Sequence, residues 1–126
     1  MKKEDLMVGD YVAYKNNYPD SHLQGMIGIV SEIAEKINIY ATDGNYYSVD
    51  SADDLQPIPL TKEIIEKNLS WEVKQGYIQY SPYKESKFSF NGYMCMNSTV
   101  IEAPFEFVHE LQHMLRICDW KGTFII

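Results

Sequence analysis

Arginine, cysteine and long apolar runs are all scarce in this chain of 126 residues. Arg116 is the only arginine, the lysines form no run, and the formal net charge is −7. Nonspecific binding to nucleic acid relies on clustered Lys and Arg side chains that neutralise phosphates, so this balance argues against it. No apolar run approaches the roughly 20 residues that a membrane-spanning helix needs, so we expect no insertion into a membrane.

The two cysteines, Cys95 and Cys118, lack the Cys-x-x-Cys spacing of redox and metal motifs. The first residues of the chain include two lysines but no apolar segment of the kind found in a secretion signal. We therefore expect two reduced thiols in the core of a cytoplasmic protein. The sequence also has no phosphate-binding loop, dinucleotide fingerprint or nucleophile elbow, so no cofactor is expected.

Short apolar runs separated by turn formers fill the first sixty residues. Asp43-Gly44 lies between two such runs and is a strong hairpin signal. Gly28 predicts a bend or bulge in the second run, and Pro57 and Pro59 confine the last run to an edge or closing strand. In the segment of residues 6–14, Gly9-Asp10 is expected to form a turn and the alternating apolar residues after it the first strand. The other predicted strands are residues 25–33, 37–40, 46–49 and 55–60, with a helical turn at 51–54.

Five short strands with these spacings match a small, partly open barrel. The opening Gly9-Asp10-Tyr11-Val12 and the later Gly28-Ile29-Val30 resemble the Src-homology-3-like barrels of the KOW and Tudor type. The resemblance implies that residues 1–60 form one small five-stranded β-barrel.

The second half combines helix and strand signals. Thr61 is a predicted N-cap for a helix over residues 62–68. Gln75-Gly76 and Asn91-Gly92 predict the turns of two hairpins. The paired runs are residues 70–74 with 77–80, and 87–90 with 93–96. The sequence thus predicts an α+β lobe over residues 61–126, in which a helix and an antiparallel meander precede a C-terminal helix, and which shares one core with the barrel.

That C-terminal amphipathic helix is expected over residues 104–118, with Pro104 at its first position. At ~100° per residue its apolar side chains fall on one side. They are Phe107, Val108, Leu111, Met114, Leu115 and Cys118. Residues 123–126 form an apolar tail that could dock as a strand.

His109-Glu110-Leu111-Gln112-His113 on this helix spells a zinc-protease motif. Histidines at i and i+4 can both reach one Zn²⁺ ion, and the intervening glutamate can act as base toward a zinc-bound water. Asp119 lies where metzincins have their third ligand. These residues give the hypothesis of a small zinc hydrolase.

Several physical arguments oppose that hypothesis. Metzincins turn the chain at a glycine where this sequence has Arg116, and an uninterrupted helix would leave Asp119 about 120° around from His113. The helical wheel also places His109, Gln112, His113 and Arg116 opposite the apolar side, where we expect solvent. The imidazoles are therefore expected to point into water, with no metal bound and no catalytic residue among them.

Three segments resemble an uncharacterised family of small proteins from gut anaerobes and their prophages and mobile elements. They are residues 4–12, residues 55–68 and residues 107–113. The resemblance implies that positions Glu110 and His113 accept Gln or Asn, which a zinc peptidase would not tolerate. It implies no activity.

Three functions follow as hypotheses. The leading one is a noncatalytic module or adaptor that binds a protein partner in the cytoplasm. The first alternative is the zinc hydrolase with His109, Glu110 and His113, and the second is a nucleic-acid-associated barrel of the KOW type. A cluster of aromatic residues in the second half could serve as a binding platform, although half of it must cover the core. Its members are Tyr77, Tyr80, Tyr83, Phe88, Phe90 and Tyr93.

Overall fold

A computed structural model describes residues 1–81, 87–91 and 102–126 of the chain. The chain divides into two units, Met1–Ile58 and Pro59–Ile126. The first unit is built on a curled antiparallel sheet that forms a half-barrel, and the second combines helices with a smaller sheet. The predicted α+β class is confirmed, whereas a core shared by the two halves stays a prediction.

Five strands form the sheet of the first unit in the order β4-β3-β2-β1-β5, and all neighbours are antiparallel. Their bounds are β1 Tyr11–Tyr14, β2 Ile27–Ile33, β3 Ile37–Ala41, β4 Tyr46–Val49 and β5 Leu55–Gln56. Each strand predicted for this half is present, although β2 and β5 are shorter than the sequence pattern indicated.

Local turn chemistry explains two of the connections. Gly44 has φ of 86° between β3 and β4, a conformation that glycine adopts without a steric cost, and the Ala41 amide donates to the Asn45 carbonyl at 2.9 Å. Ser51 caps a 3₁₀ turn at Ala52–Asp54 by accepting a hydrogen bond from the Asp53 amide. The predicted hairpin and the predicted helical turn are both confirmed.

The irregularity in β2 is not at the predicted position. The register between β2 and β3 shifts between Val30 and Glu32, so the bulge lies after Gly28. Gly28 has a different role, because a Cβ at this position would collide with the Ile39 side chain and the Tyr40 carbonyl of the next strand. The glycine therefore allows close packing on the strand pair, and its assignment as the bulge is wrong.

Alternate residues of these strands fill the inner face of the half-barrel. Val12 and Val30 are fully buried, as expected for the period of two in a strand. The buried cluster consists of Leu6, Val12, Tyr14, Leu23, Val30, Ile37, Ile39, Val49, Ala52 and Leu55.

In the second unit the structure describes two helices and a three-stranded antiparallel sheet ordered β6-β7-β8. The bounds are α1 Lys62–Lys74, β6 Ile78–Ser81, β7 Lys87–Asn91, β8 Glu102–Phe105 and α2 Val108–Ile117. The strand predicted at residues 93–96 lies outside the described residues.

Helix α1 is longer than the sequence indicated. It begins as predicted, with the Ile64 amide donating to the Thr61 hydroxyl at 3.3 Å. It then continues past a kink at Leu69, and Gly76 has φ of 82° just beyond its end. A left-handed glycine after a helix is a common terminator, so Gly76 ends α1 and does not form a hairpin turn. The prediction of a strand at residues 70–74 is wrong.

The C-terminal helix begins later than predicted. Pro104 pairs with Ser89 in β8, and α2 starts only after Phe107. A proline has no amide hydrogen to donate, which suits a strand at the edge of a sheet as well as the first turn of a helix. The terminal residues form no strand. Instead the Ile125 backbone bonds to the Asn68 side chain of α1, at 2.8 Å to Oδ1 and 2.6 Å from Nδ2.

Cys118 follows α2 and is disulfide-bonded. The other cysteine of the sequence, Cys95, lies outside the described residues. The prediction of two reduced thiols is therefore wrong for Cys118.

Among the helices described, neither is long and apolar enough to cross a lipid bilayer.

Candidate functional site

The motif His109-Glu110-x-x-His113 occupies the first two turns of α2. The rings of His109 and His113 have centroids 5.6 Å apart and meet edge to face at 75°. The His109 ring also stacks on Phe107, at 6.0 Å and 13°. The i, i+4 spacing thus brings the two imidazoles together, as helix geometry requires.

The prediction that this face of the helix points into solvent is wrong. His109 is only 8% exposed and Gln112 only 5%, while His113 and Arg116 are half-buried. At 100° per residue, the buried positions of α2 span an arc of roughly 160°, which is wider than the apolar stripe alone. They are Val108, His109, Leu111, Gln112 and Leu115. The exposed side of the helix is centred on Ile117, which is 74% exposed.

Glu110, the base in the zinc hypothesis, has a structural role here. Its Oε1 accepts hydrogen bonds from the backbone amides of Glu106, at 3.0 Å, and Phe107, at 2.8 Å. A glutamate at the third position of a helix that accepts amides just before the helix is one half of a capping box. The carboxylate therefore fixes the entry of the chain into α2.

The described residues supply no third ligand for the histidine pair. Within residues 1–81, 87–91 and 102–126, no group of three or more His, Cys, Asp or Glu side chains could hold a metal ion. Asp119 follows the helix with φ of 57° and accepts a hydrogen bond from the Lys121 ammonium at 2.7 Å. The zinc hydrolase stays a hypothesis that this geometry does not favour.

A row of large side chains crosses the outer face of the five-stranded sheet. The strand registers place Tyr11 opposite Ile29, Ile29 opposite Tyr40, and Tyr40 opposite Tyr46. Tyr40 is 42% exposed and Tyr46 is 71% exposed, and their ring centroids are 4.8 Å apart. We call these four side chains the outer row. They cover four adjacent strands on the face opposite the buried cluster.

A groove of about 540 Å³ lies beside the outer row on β2, β3 and β4. Its lining is formed by Ser31, Glu32, Asn38, Tyr46, Tyr47 and Ser48. The Asn38 side chain donates to the Glu32 carboxylate at 3.0 Å, which orients that carboxylate in the lining of the groove. The groove therefore combines hydroxyl and amide groups, aromatic surface and one oriented negative charge.

His22, the remaining histidine, lies beside the β3–β4 turn. Its Nε2 is 3.6 Å from the Asp43 carboxylate, which also accepts hydrogen bonds from the Tyr47 hydroxyl at 2.5 Å and the Asn45 amide at 2.9 Å. The Tyr47 hydrogen bond is the main reason that the pKa of Asp43 is lowered and, reciprocally, that the pKa of Tyr47 is raised. These contacts tie the β1–β2 loop to the hairpin.

The aromatic platform predicted in the second half is only partly described. Phe88 is 5% exposed and packs at 5.1 Å from the ring of Tyr80, which is 49% exposed. Tyr83 and Tyr93 lie outside the described residues. Phe88 thus covers the core, as was expected for part of the set.

The outer row could not be predicted from the strand pattern alone, because that pattern places the tyrosines in strands but does not show which residues lie opposite them. The Asp43-Gly44 turn contains the necessary signal, because a hairpin closed there places Tyr40 opposite Tyr46.

The negative charge is concentrated in the same unit. Residues 1–58 contain four lysines and ten Asp or Glu side chains, a formal charge of −6, whereas residues 59–126 contain seven basic and eight acidic side chains. The outer row therefore belongs to an acidic unit.

No family model matches the chain, and no curated protein is significantly similar to it.

Proposed function

We propose that the protein is a noncatalytic binding module and that its N-terminal unit recognises a protein partner through the outer row. The observation that carries the proposal is the alignment of Tyr11, Ile29, Tyr40 and Tyr46 across four strands. Tyrosine is enriched at protein interfaces because it offers a large apolar ring and a polar tip at a low cost in conformational entropy. A side chain that is 71% exposed, such as Tyr46, contributes little to the core.

The strand order supports a finer proposal about the fold. A meander β1-β2-β3-β4 followed by a 3₁₀ turn and a short β5 that pairs with β1 is similar to Src-homology-3-like barrels of the KOW and Tudor type. The charge of −6 on this unit favours a protein partner over nucleic acid. A prophage or mobile element as the source of the gene is part of the same proposal and rests on sequence resemblance alone.

Selection from a displayed library of random peptides tests the binding function. We expect the wild-type protein to enrich related peptides and a Tyr40→Ala/Tyr46→Ala double variant to lose them, because the variant removes both exposed rings of the outer row. Trp71→Ala is the matched control, since it removes an exposed aromatic side chain from the other unit. Enrichment that survives the double variant, or no enrichment at all, would contradict the proposal.

A further inference from the structure

Strand β4 is the edge of its sheet, and the hydrogen-bond pattern shows which of its backbone groups face outward. The Ala41 amide bonds to the Asn45 carbonyl, so the next pair, Tyr40 with Tyr46, is a pair without mutual hydrogen bonds. In an antiparallel ladder such pairs alternate with hydrogen-bonded ones. The amide and carbonyl groups of Tyr46 and Ser48 therefore point away from β3.

Within the described part of the chain, no strand pairs with this outer side of β4. Natural sheets commonly protect such an edge with lysine, proline or a bulge. The sequence of β4, Tyr-Tyr-Ser-Val, contains neither lysine nor proline, and the register shows no bulge in its pairing with β3. This edge can accept a further strand.

The same two residues connect the edge to the groove. Tyr46 and Ser48 direct their side chains to the outer face, where both line the groove with Glu32 and Asn38. A peptide added to β4 would continue the outer face, so every second side chain of the peptide would lie on the same face as the Tyr46 ring. Glu32 is on β2, but its carboxylate leans over β3 toward Asn38, so a long side chain of the peptide could extend across β4 to reach it. Backbone pairing and side-chain recognition would thus come from one bound segment.

The charges around β4 favour a positively charged partner. Asp43 precedes the strand, Asp50 follows it and Glu32 lies in the groove. Lys36 is 3.3 Å from Asp50, but both side chains are more than half exposed, so this pair offsets little of the negative field. A second copy of the chain is disfavoured, because antiparallel pairing of β4 with itself would place Asp43 of one copy near Asp50 of the other.

We infer that the free edge of β4 binds an extended, positively charged peptide segment of another protein as an added antiparallel or parallel strand, with Lys or Arg side chains of that segment at the groove beside Glu32 and Tyr46. The inference rests on the proposed binding function and specifies its partner and its mode. A cation in this position would meet both a carboxylate and the face of an aromatic ring.

A short synthetic peptide of alternating lysine and valine, with blocked ends, is the probe. We expect fluorescence anisotropy to show binding at millimolar or lower peptide concentration, and amide hydrogen exchange to slow at Tyr46 and Ser48, because these amides gain partners on the added strand. A glutamate-valine peptide of the same length is expected to bind at least about tenfold more weakly, because it reverses the charge complementarity. Two further peptides, N-methylated on one or the other set of alternate residues, test the backbone pairing, and one of them must lose binding.

Variants of the protein test the groove. Glu32→Gln keeps the shape and the Asn38 contact but removes the charge, so we expect about threefold to tenfold weaker binding. Glu35→Gln is the matched control, because it removes the same charge from the exposed β2–β3 turn outside the groove. Its effect is expected to be less than twofold on the same scale.

The inference is overturned if the lysine-valine peptide does not bind, if both N-methylated peptides bind equally well, or if the two glutamate variants behave alike. Dimerisation of the free protein through β4 would overturn it as well. Peptides enriched from the random library that depend on Tyr40 and Tyr46, but leave exchange at Ser48 unchanged, would overturn the strand-addition mode while the proposed binding function stands.

Discussion

The Tyr14 side chain has two parts that affect the core in opposite ways: an apolar ring that packs well and a polar hydroxyl that is buried. Its ring is 1% exposed and packs edge to face on Tyr18, at 5.0 Å. Its hydroxyl is buried and has no hydrogen-bond partner among the described residues. Burial is the main reason that the pKa of Tyr14 is raised to about 12.

We expect Tyr14→Phe to stabilise the protein by about 1 kcal/mol at neutral pH, since it removes a buried hydroxyl without a partner and keeps the ring. The raised pKa also means that the folded state holds its proton after the unfolded state has released it. The titration of Tyr14 therefore leaves the free energy of unfolding unchanged below pH 10 and lowers it as the pH rises from 10 to about 12.

Urea unfolding at pH 7 and at several values above pH 10 checks both expectations. Tyr18→Phe is the control, because it removes a hydroxyl from the neighbouring ring. A Tyr14→Phe variant that is less stable than wild type at pH 7 would show that the hydroxyl has a partner.

The lowered pKa of Asp43 predicts how the stability of the protein changes at acidic pH. Its pKa is lowered, chiefly by the hydrogen bond from Tyr47, so its contribution to stability is present above its ordinary value of 3.8 and is lost as the pH falls through the folded value. We expect Asp43→Asn to be less stable than wild type at pH 6 and to lose less stability on acidification. Asp53→Asn, at another exposed aspartate of the same unit, is the control for charge. An unchanged acid profile in Asp43→Asn would contradict the assignment.

At the scale of the element, the His-Glu-x-x-His motif of helix α2 has the spacing of a zinc site, yet its glutamate caps the helix. Glu110 accepts two backbone amides that precede the helix, so we expect Glu110→Ala to lower the free energy of unfolding by about 1 kcal/mol. Glu110→Gln retains an acceptor and is expected to lose less. Glu106→Ala is the matched control, since that side chain is exposed. Equal stability of Glu110→Ala and wild type in urea unfolding would contradict the capping role.

The elements that the sequence predicted well are those set by local chemistry. The Asp43-Gly44 hairpin and the Ser51 cap depend on residues within a few positions of each other, and both are present. The errors came from residues that suit two structures equally. Gly76 can turn a hairpin or end a helix, and Pro104 can begin a helix or lie in an edge strand, and only the tertiary pairing decides.

The candidate site was harder to predict for the same reason. Periodicity identified an apolar side of α2 but gave no measure of how wide the buried arc would be, so His109 and Gln112 were assigned to solvent. The outer row depends on the register of four strands. The sequence determines only the register between β3 and β4, through the Asp43-Gly44 turn that joins them. Residue types were visible in the sequence, and their neighbours across strands were not.

At the scale of the whole molecule, reduction of the disulfide at Cys118 tests how much this bond stabilises the folded protein. A disulfide restricts the unfolded chain, and its removal typically costs about 2–4 kcal/mol. We expect the melting temperature of the wild-type protein to fall when a reductant is added. Cys118→Ser is expected to melt at the lower temperature whether or not reductant is present. Equal melting of wild type with and without reductant would contradict a disulfide in the folded protein.

The distribution of charge and aromatic surface makes the N-terminal unit the centre of the proposed function. It carries a formal charge of −6 and the whole outer row, while the zinc-motif histidines lie in the other unit. The proposed binding surface and the histidine motif are therefore separate features of the chain, and each can be altered without changing the residues of the other.

Mapping the contact surface of a library-selected peptide by NMR on ¹⁵N-labelled protein tests the central claim most directly. The account predicts that the amide shifts that change on binding cluster on the outer face of the five-stranded sheet, around Tyr11, Ile29, Tyr40 and Tyr46. Shifts confined to α2 around His109 and His113, with the sheet unaffected, would contradict it.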